Sequence, residues 1–171
     1  VIVMRREAVI RNVIGKFFRK HNIMEYKSED DELNVDTYYK GQGYCCLYKA
    51  MAETAGGISE EEITLTLVRK RKPRKLMRYF EEKGHHLTNP APGIYYVNKG
   101  GIFPTQIVVT GELEEREHVW LSSLRRGLKE EGAQQLIFSI TKLKERNERE
   151  AGQSVLQAAL RANPEVFGEV K

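Results

Sequence analysis

The 171-residue chain is poor in cysteine, in long apolar runs and in the glycine-rich signatures of nucleotide binding. Its two cysteines, Cys45 and Cys46, are adjacent. Neighbouring residues cannot bridge each other without strain, so no disulfide framework is expected, and the pair has no zinc-site spacing. Such cysteine usage points to a reducing, cytoplasmic setting. The apolar runs are only a few residues long, so no segment is expected to span a bilayer, and the start lacks a secretory signal. There is no G-x-x-x-x-G-K-[ST] loop, no G-x-G-x-x-G after a strand and no G-x-S-x-G elbow. ATP, dinucleotide and serine-hydrolase chemistry are therefore unsupported, and no nucleotide cofactor is expected. Internal repeats and low-complexity segments are absent from the sequence too.

What is present is a patterned, charged, moderately apolar chain: 40% hydrophobic and 30% charged residues. That composition excludes intrinsic disorder, and the length suits one domain with a real core and a helical appendage. The net charge of +4 is unevenly distributed. Residues 1–60 are neutral, with nine basic and nine acidic side chains. Residues 61–110 carry nine against four, and residues 111–171 ten against eleven. The excess sits mainly in Arg69, Lys70, Arg71, Lys72, Arg74, Lys75 and Arg78. A basic patch embedded in a balanced chain implies an anionic partner or a solvated surface.

Periodicity orders the elements. Val1–Met4 reads as a buried strand, joined as a hairpin to a second strand within Phe17–Ser28. Asn34 or Asp36 can cap a helix from Val35 to about Ala55, ended by Gly56-Gly57. Ile63–Arg69 alternates as a strand. Pro73 starts a short helix through Lys83 whose apolar side is Leu76, Met77 and Phe80. Ile94–Val97 and Phe103–Thr110 are further strands. Three apolar stripes at helical spacing follow from Glu112, the last stopped at Asn163-Pro164. The expected class is α/β: a mixed central sheet flanked by helices over residues 1–111, with a helical region over 112–171.

The segment His21-Asn22-Ile23-Met24-Glu25-Tyr26-Lys27-Ser28 carries the most chemistry. In a strand, Glu25 and Lys27 project from one face. Burying charges is costly unless they pair or hold a metal. A carboxylate can hold a hard cation such as Mg²⁺ or Mn²⁺, and a lysine two residues on can position water or stabilise phosphate charge. The bland reading is an exposed ion pair on a half-buried strand, since E-x-K is a common tripeptide.

This segment resembles the central motif of the PD-(D/E)xK nuclease superfamily. The wider run resembles a group of bacterial proteins, mostly from Firmicutes, described as nuclease or transposase-like. It extends through Y-Y-K-G-Q-G-Y-C-C-L-Y-K-A to Gly93-Ile94-Tyr95-Tyr96 and Phe103–Thr110. The resemblance implies a restriction-endonuclease-like fold and Mg²⁺- or Mn²⁺-dependent hydrolysis of DNA. Glu25 would bind metal, Lys27 would act on water or phosphate, and Gln42 and Tyr38 on the following helix would support the site. The superfamily's metal-binding Asp belongs on the strand before E-x-K, yet Val1–Met4 contains no acid. The chain is accordingly expected to be trimmed at its N-terminus, or to use Glu7 instead, or to be inactive.

Several basic residues fall at a helix start, where cations oppose the macrodipole and phosphate is favoured. Arg69, Lys70, Arg71, Lys72, Arg74, Lys75 and Arg78 are the candidate nucleic-acid contacts. Tyr38, Tyr39, Tyr44 and Tyr48 can stack bases, but on a helix of this pattern tyrosines are more often core and rim. The four histidines read as structural or surface residues. The competing readings are an inactive nucleic-acid-binding module on the same fold, and an interaction protein that assembles through its C-terminal helices.

Overall fold

The computed structural model describes residues 2–5, 12–28, 30–99, 101–114, 117–124 and 126–169. The chain forms two compact units, Val1–Glu112 and Leu113–Lys171. The first holds a six-stranded mixed sheet: β1 (Ile2–Arg5), β2 (His21–Tyr26), β3 (Ile63–Arg69), β4 (His86–Ala91), β5 (Ile94–Asn98) and β6 (Thr105–Val109). The strand order is β1-β2-β3-β6-β5-β4. β2, β3 and β6 are parallel neighbours, and antiparallel pairs flank them on both sides. β3 forms over the bounds read from Ile63–Arg69, and its buried residues on both faces suit a parallel strand inside a sheet.

Three helices accompany the sheet: α1 (Val13–Phe17), α2 (Val35–Ala50) and α3 (Arg74–Glu82). Side-chain period 2 sends Ile23, Leu65, Leu67, Ile107 and Val109 to one face, where Tyr38 and Cys45 of α2 and Leu76, Met77 and Phe80 of α3 complete the core. On the other face the Gln106 amide donates to the Ile14 carbonyl of α1 at 3.2 Å, and Phe17 packs on Tyr96 with ring centroids 4.7 Å apart. Asn34 is the α2 cap: its side chain accepts from the Thr37 amide at 3.0 Å.

Three departures from the expected elements have local causes. α2 ends at Ala50, five residues short of Ala55, and a turn hydrogen bond from the Gly57 amide to the Thr54 carbonyl follows, with Gly56 at φ +73°. β4 was not expected, because Asn89-Pro90 breaks its alternation; it is a short edge strand with an irregular register between Thr88 and Ala91. The expected β1–β2 hairpin is antiparallel as anticipated, but its connection contains α1, and β2 begins at His21 rather than near Phe17.

The second unit contains α4 (Val119–Ser122), α5 (Glu130–Thr141), α6 (Arg146–Ala162) and α7 (Pro164–Glu169). Leu136 and Ala159 form its centre, with Val119, Trp120 and Phe167 around them. Asn163 ties α6 down: its side chain accepts from the Leu128 amide at 3.0 Å. Pro164 stops α6 and occupies the first position of α7.

Candidate functional site

β2 and β3 run parallel in a register that pairs Glu25 with Leu67 and Tyr26 with Val68. The Lys27 amide continues the ladder by donating to the Val68 carbonyl at 2.9 Å. Lys27 therefore lies beside Arg69, and strand alternation puts Glu25, Lys27 and Arg69 on the face that also carries α2 and α3. Lys27 Nζ is 3.4 Å from Glu25 Oε1, with side chains only 19% and 10% exposed. The pair is thus largely withdrawn from water, not a free surface couple. Lys40, on the first half of α2, feels the Glu25 charge, although its pKa is raised chiefly by its hydrogen bond to Tyr44.

From Arg69 the chain leaves the sheet through Lys70, Arg71 and Lys72 and enters α3 at Arg74. Thr110 and Gly111 donate their amides to the Arg69 and Lys70 carbonyls, fixing this exit at 2.8 and 3.0 Å. Gly111 is required there, since a Cβ would stand 2.7 Å from the Lys70 carbonyl oxygen. Lys72 lies over the Tyr95 ring, 4.5 Å from its centroid, and its pKa is raised by hydrogen bonding to Tyr95. Tyr95 in turn donates to Glu112 at 2.6 Å. Lys75 is 3.4 Å from Glu32 in the loop before α2. Among the described residues no acid comes within ion-pair distance of Arg71, Arg74 or Arg78. The Arg69 Nε is buried and has no hydrogen-bond partner among the described residues.

α3 opens with two cations, no acid in its first turn and no side-chain cap. Its exposed amides and macrodipole therefore add positive potential to that of the side chains. Arg74 and Arg78, with Lys72, Tyr95 and Asn89, line a groove of about 370 Å³ between α3 and the β4–β5 hairpin.

Gln42 and Tyr38 are engaged elsewhere. Gln42 Nε2 donates to the Phe103 carbonyl at 3.1 Å and to Thr105 Oγ1 at 2.9 Å, while its Oε1 accepts from the Phe103 amide at 3.1 Å. Thr105 pairs with Leu65, two strands across and two residues before the level of Glu25. That places it about 12 Å from Glu25 by sheet spacing. Tyr38 is buried edge-on against Phe80, centroids 4.9 Å apart, and its hydroxyl pKa is pushed up to about 12, mainly by burial. The structure thus brings Glu25 and Lys27 together with Arg69, while Gln42 and Tyr38 build the neighbouring core. The sequence pattern could not expose the Lys27–Arg69 adjacency, which depends on parallel register.

Glu7 lies outside the described residues. Among the described residues no three His, Cys, Asp or Glu side chains gather in metal-binding reach. Comparison with protein-family models, with curated proteins and with solved structures returns no match.

Proposed function

We propose that the α/β unit binds the phosphodiester backbone of DNA along the carboxyl ends of β2 and β3 and the first turns of α3. One observation carries this reading. Lys27 and Arg69 stand side by side at adjacent strand ends, and the chain continues from them into Arg71, Arg74 and Arg78, which no acid among the described residues neutralises. Ligands of open parallel sheets bind outside such carboxyl ends, and a helix start is a ready anion site. Sequence-independent affinity for nucleic acid comes from cations of this kind releasing phosphate counterions.

The resemblance to PD-(D/E)xK nucleases implies a magnesium or manganese ion at Glu25. These are hard cations that take several oxygen ligands. The described residues do not fit one: Glu25 offers a single carboxylate, and that carboxylate already faces Lys27. Binding without hydrolysis is therefore the first reading. The withdrawn Glu25–Lys27 pair favours a second, metal-dependent phosphodiester hydrolysis, which would need a further carboxylate from outside the described residues.

Incubating the 171-residue protein with labelled DNA and Mg²⁺ or Mn²⁺ separates the two. The first reading predicts retention of intact DNA, with binding lost on reversing Arg71, Lys72, Arg74 and Lys75 to Glu. Cleavage abolished by Glu25→Gln would establish the second. Unchanged retention by the charge-reversed protein would refute the first.

A further inference from the structure

An exposed tyrosine, Tyr39, meets a half-buried one, Tyr79, above the core between α2 and α3. The Tyr39 and Tyr79 hydroxyls are hydrogen-bonded at 2.7 Å, and their rings stand edge to face, 6.4 Å between centroids. Because each phenol satisfies the other, their rings are held without using a core partner for the polar tips. Tyr39 remains 56% exposed. Beneath it lie Tyr38, 5.3 Å from the Tyr39 ring, and Phe80, which also contacts His85. His85 is oriented by its Nδ1, 2.8 Å from the Lys99 carbonyl.

The rings of Tyr38, Tyr39, Tyr79 and His85, with Gln42 and Lys83, line a cleft of about 440 Å³, which falls in the small-ligand range. Gly101 closes against the Tyr38 hydroxyl so tightly that any Cβ would collide with it. The Lys83 ammonium lies 5.9 Å from the Tyr79 ring centroid. Lys75, Tyr79 and Lys83 follow one another at four-residue intervals, giving a cation, an aromatic and a cation over about 12 Å. Arg78, on the groove beside β4 and β5, precedes Tyr79 directly.

Aromatic faces alternating with cations are what a single strand needs: cations hold phosphates while rings stack on unpaired bases. A base inside a duplex is already stacked and cannot enter a concave cleft without being extruded. We infer that the α2–α3 cleft takes an unpaired nucleobase, so that the protein prefers single-stranded to duplex DNA. This rests on the backbone-binding reading and extends it to the form of DNA bound.

The test is fluorescence titration of the 171-residue protein with an oligo-dT strand carrying one 2-aminopurine, and with a labelled duplex of equal length. Stacking in the cleft quenches the 2-aminopurine. Tyr39→Ala removes an exposed ring and should weaken single-strand binding about 5- to 150-fold and abolish the quenching, with duplex affinity unchanged. Tyr39→Phe should retain both affinity and quenching. Unchanged single-strand affinity in Tyr39→Ala, equal losses on both DNAs, or loss in Tyr39→Phe as well would overturn the cleft assignment while leaving backbone binding standing. If the unaltered protein binds neither DNA, both readings fall together.

Discussion

Replacing Gln42 by Leu separates a structural from a catalytic role for this residue. Gln42 is 7% exposed, and its amide makes three hydrogen bonds to the Phe103–Thr105 segment. Leu preserves the approximate volume and removes all three. The Phe103 carbonyl keeps one donor, the Thr105 hydroxyl at 3.2 Å, but the Phe103 amide is left buried and unpaired. At about 1 kcal/mol net for each lost bond, and 1–3 kcal/mol for an orphaned group, the cost is about 3–4 kcal/mol after the gain from burying Leu. For a chain of this size that lowers Tm by about 6–16 °C. Thermal denaturation followed by circular dichroism measures it. Duplex DNA, which does not enter the α2–α3 cleft that Gln42 helps to line, should bind the folded variant at 25 °C within about twofold of the parent, since the lost contacts lie about 12 Å from Glu25. A Tm within about 1 °C of the parent, combined with loss of duplex binding or cleavage, would refute this reasoning and restore Gln42 to the Glu25 site.

Other outcomes follow from individual residues. A Cβ on Gly41 would meet the Leu65 methyls at 2.8 and 3.0 Å, whereas one on Gly43 meets nothing within 4 Å. Gly43→Ala should therefore raise stability by about 1 kcal/mol, while Gly41→Ala should lower it by about 1 kcal/mol, both read from denaturant midpoints. Cys45 is buried with its thiol pushed up to about 12, mainly by burial, and Cys46 is exposed. A thiol reagent at pH 8 should label one cysteine in the native protein and two after denaturation. Burial lowers the His118 pKa below its ordinary 6.5 despite the opposing charges of Glu117 and Glu114. The folded state therefore favours neutral His118; stability is complete above about pH 6.5 and declines as pH falls toward the depressed value. Denaturant titrations between pH 5 and 8 should show that decline, and His118→Gln should flatten it.

The local elements were legible where the pattern was strong. Ile63–Leu67 alternates apolar residues with Thr and starts β3, which runs to Arg69 as read, and of the two cap candidates, Asn34 and Asp36, Asn34 is the cap. β4 was hidden because an edge strand with half-exposed residues needs no apolar alternation, and Asn89-Pro90 reads as a turn. The five-residue α1 is too short for a 3.6-residue period to register. At the candidate site, period 2 was sufficient to place Glu25 and Lys27 on one face. Their withdrawal from water and their neighbour Arg69 depend on parallel pairing with a strand some forty residues on. The bonds from Gln42 to Phe103 span 61 residues, and no local signal in the sequence marks them.

The charge on the carboxyl edge is the centre of this account, and salt dependence tests it most directly. DNA affinity should be measured from about 50 to 200 mM salt for the parent and for a protein with Arg71, Arg74 and Arg78 all changed to Ala. If each arginine neutralises one phosphate, the slope of log affinity against log salt should shrink by about 2.7, at ~0.9 per contact on duplex DNA. An unchanged slope would show that these arginines touch no phosphate and would contradict the account.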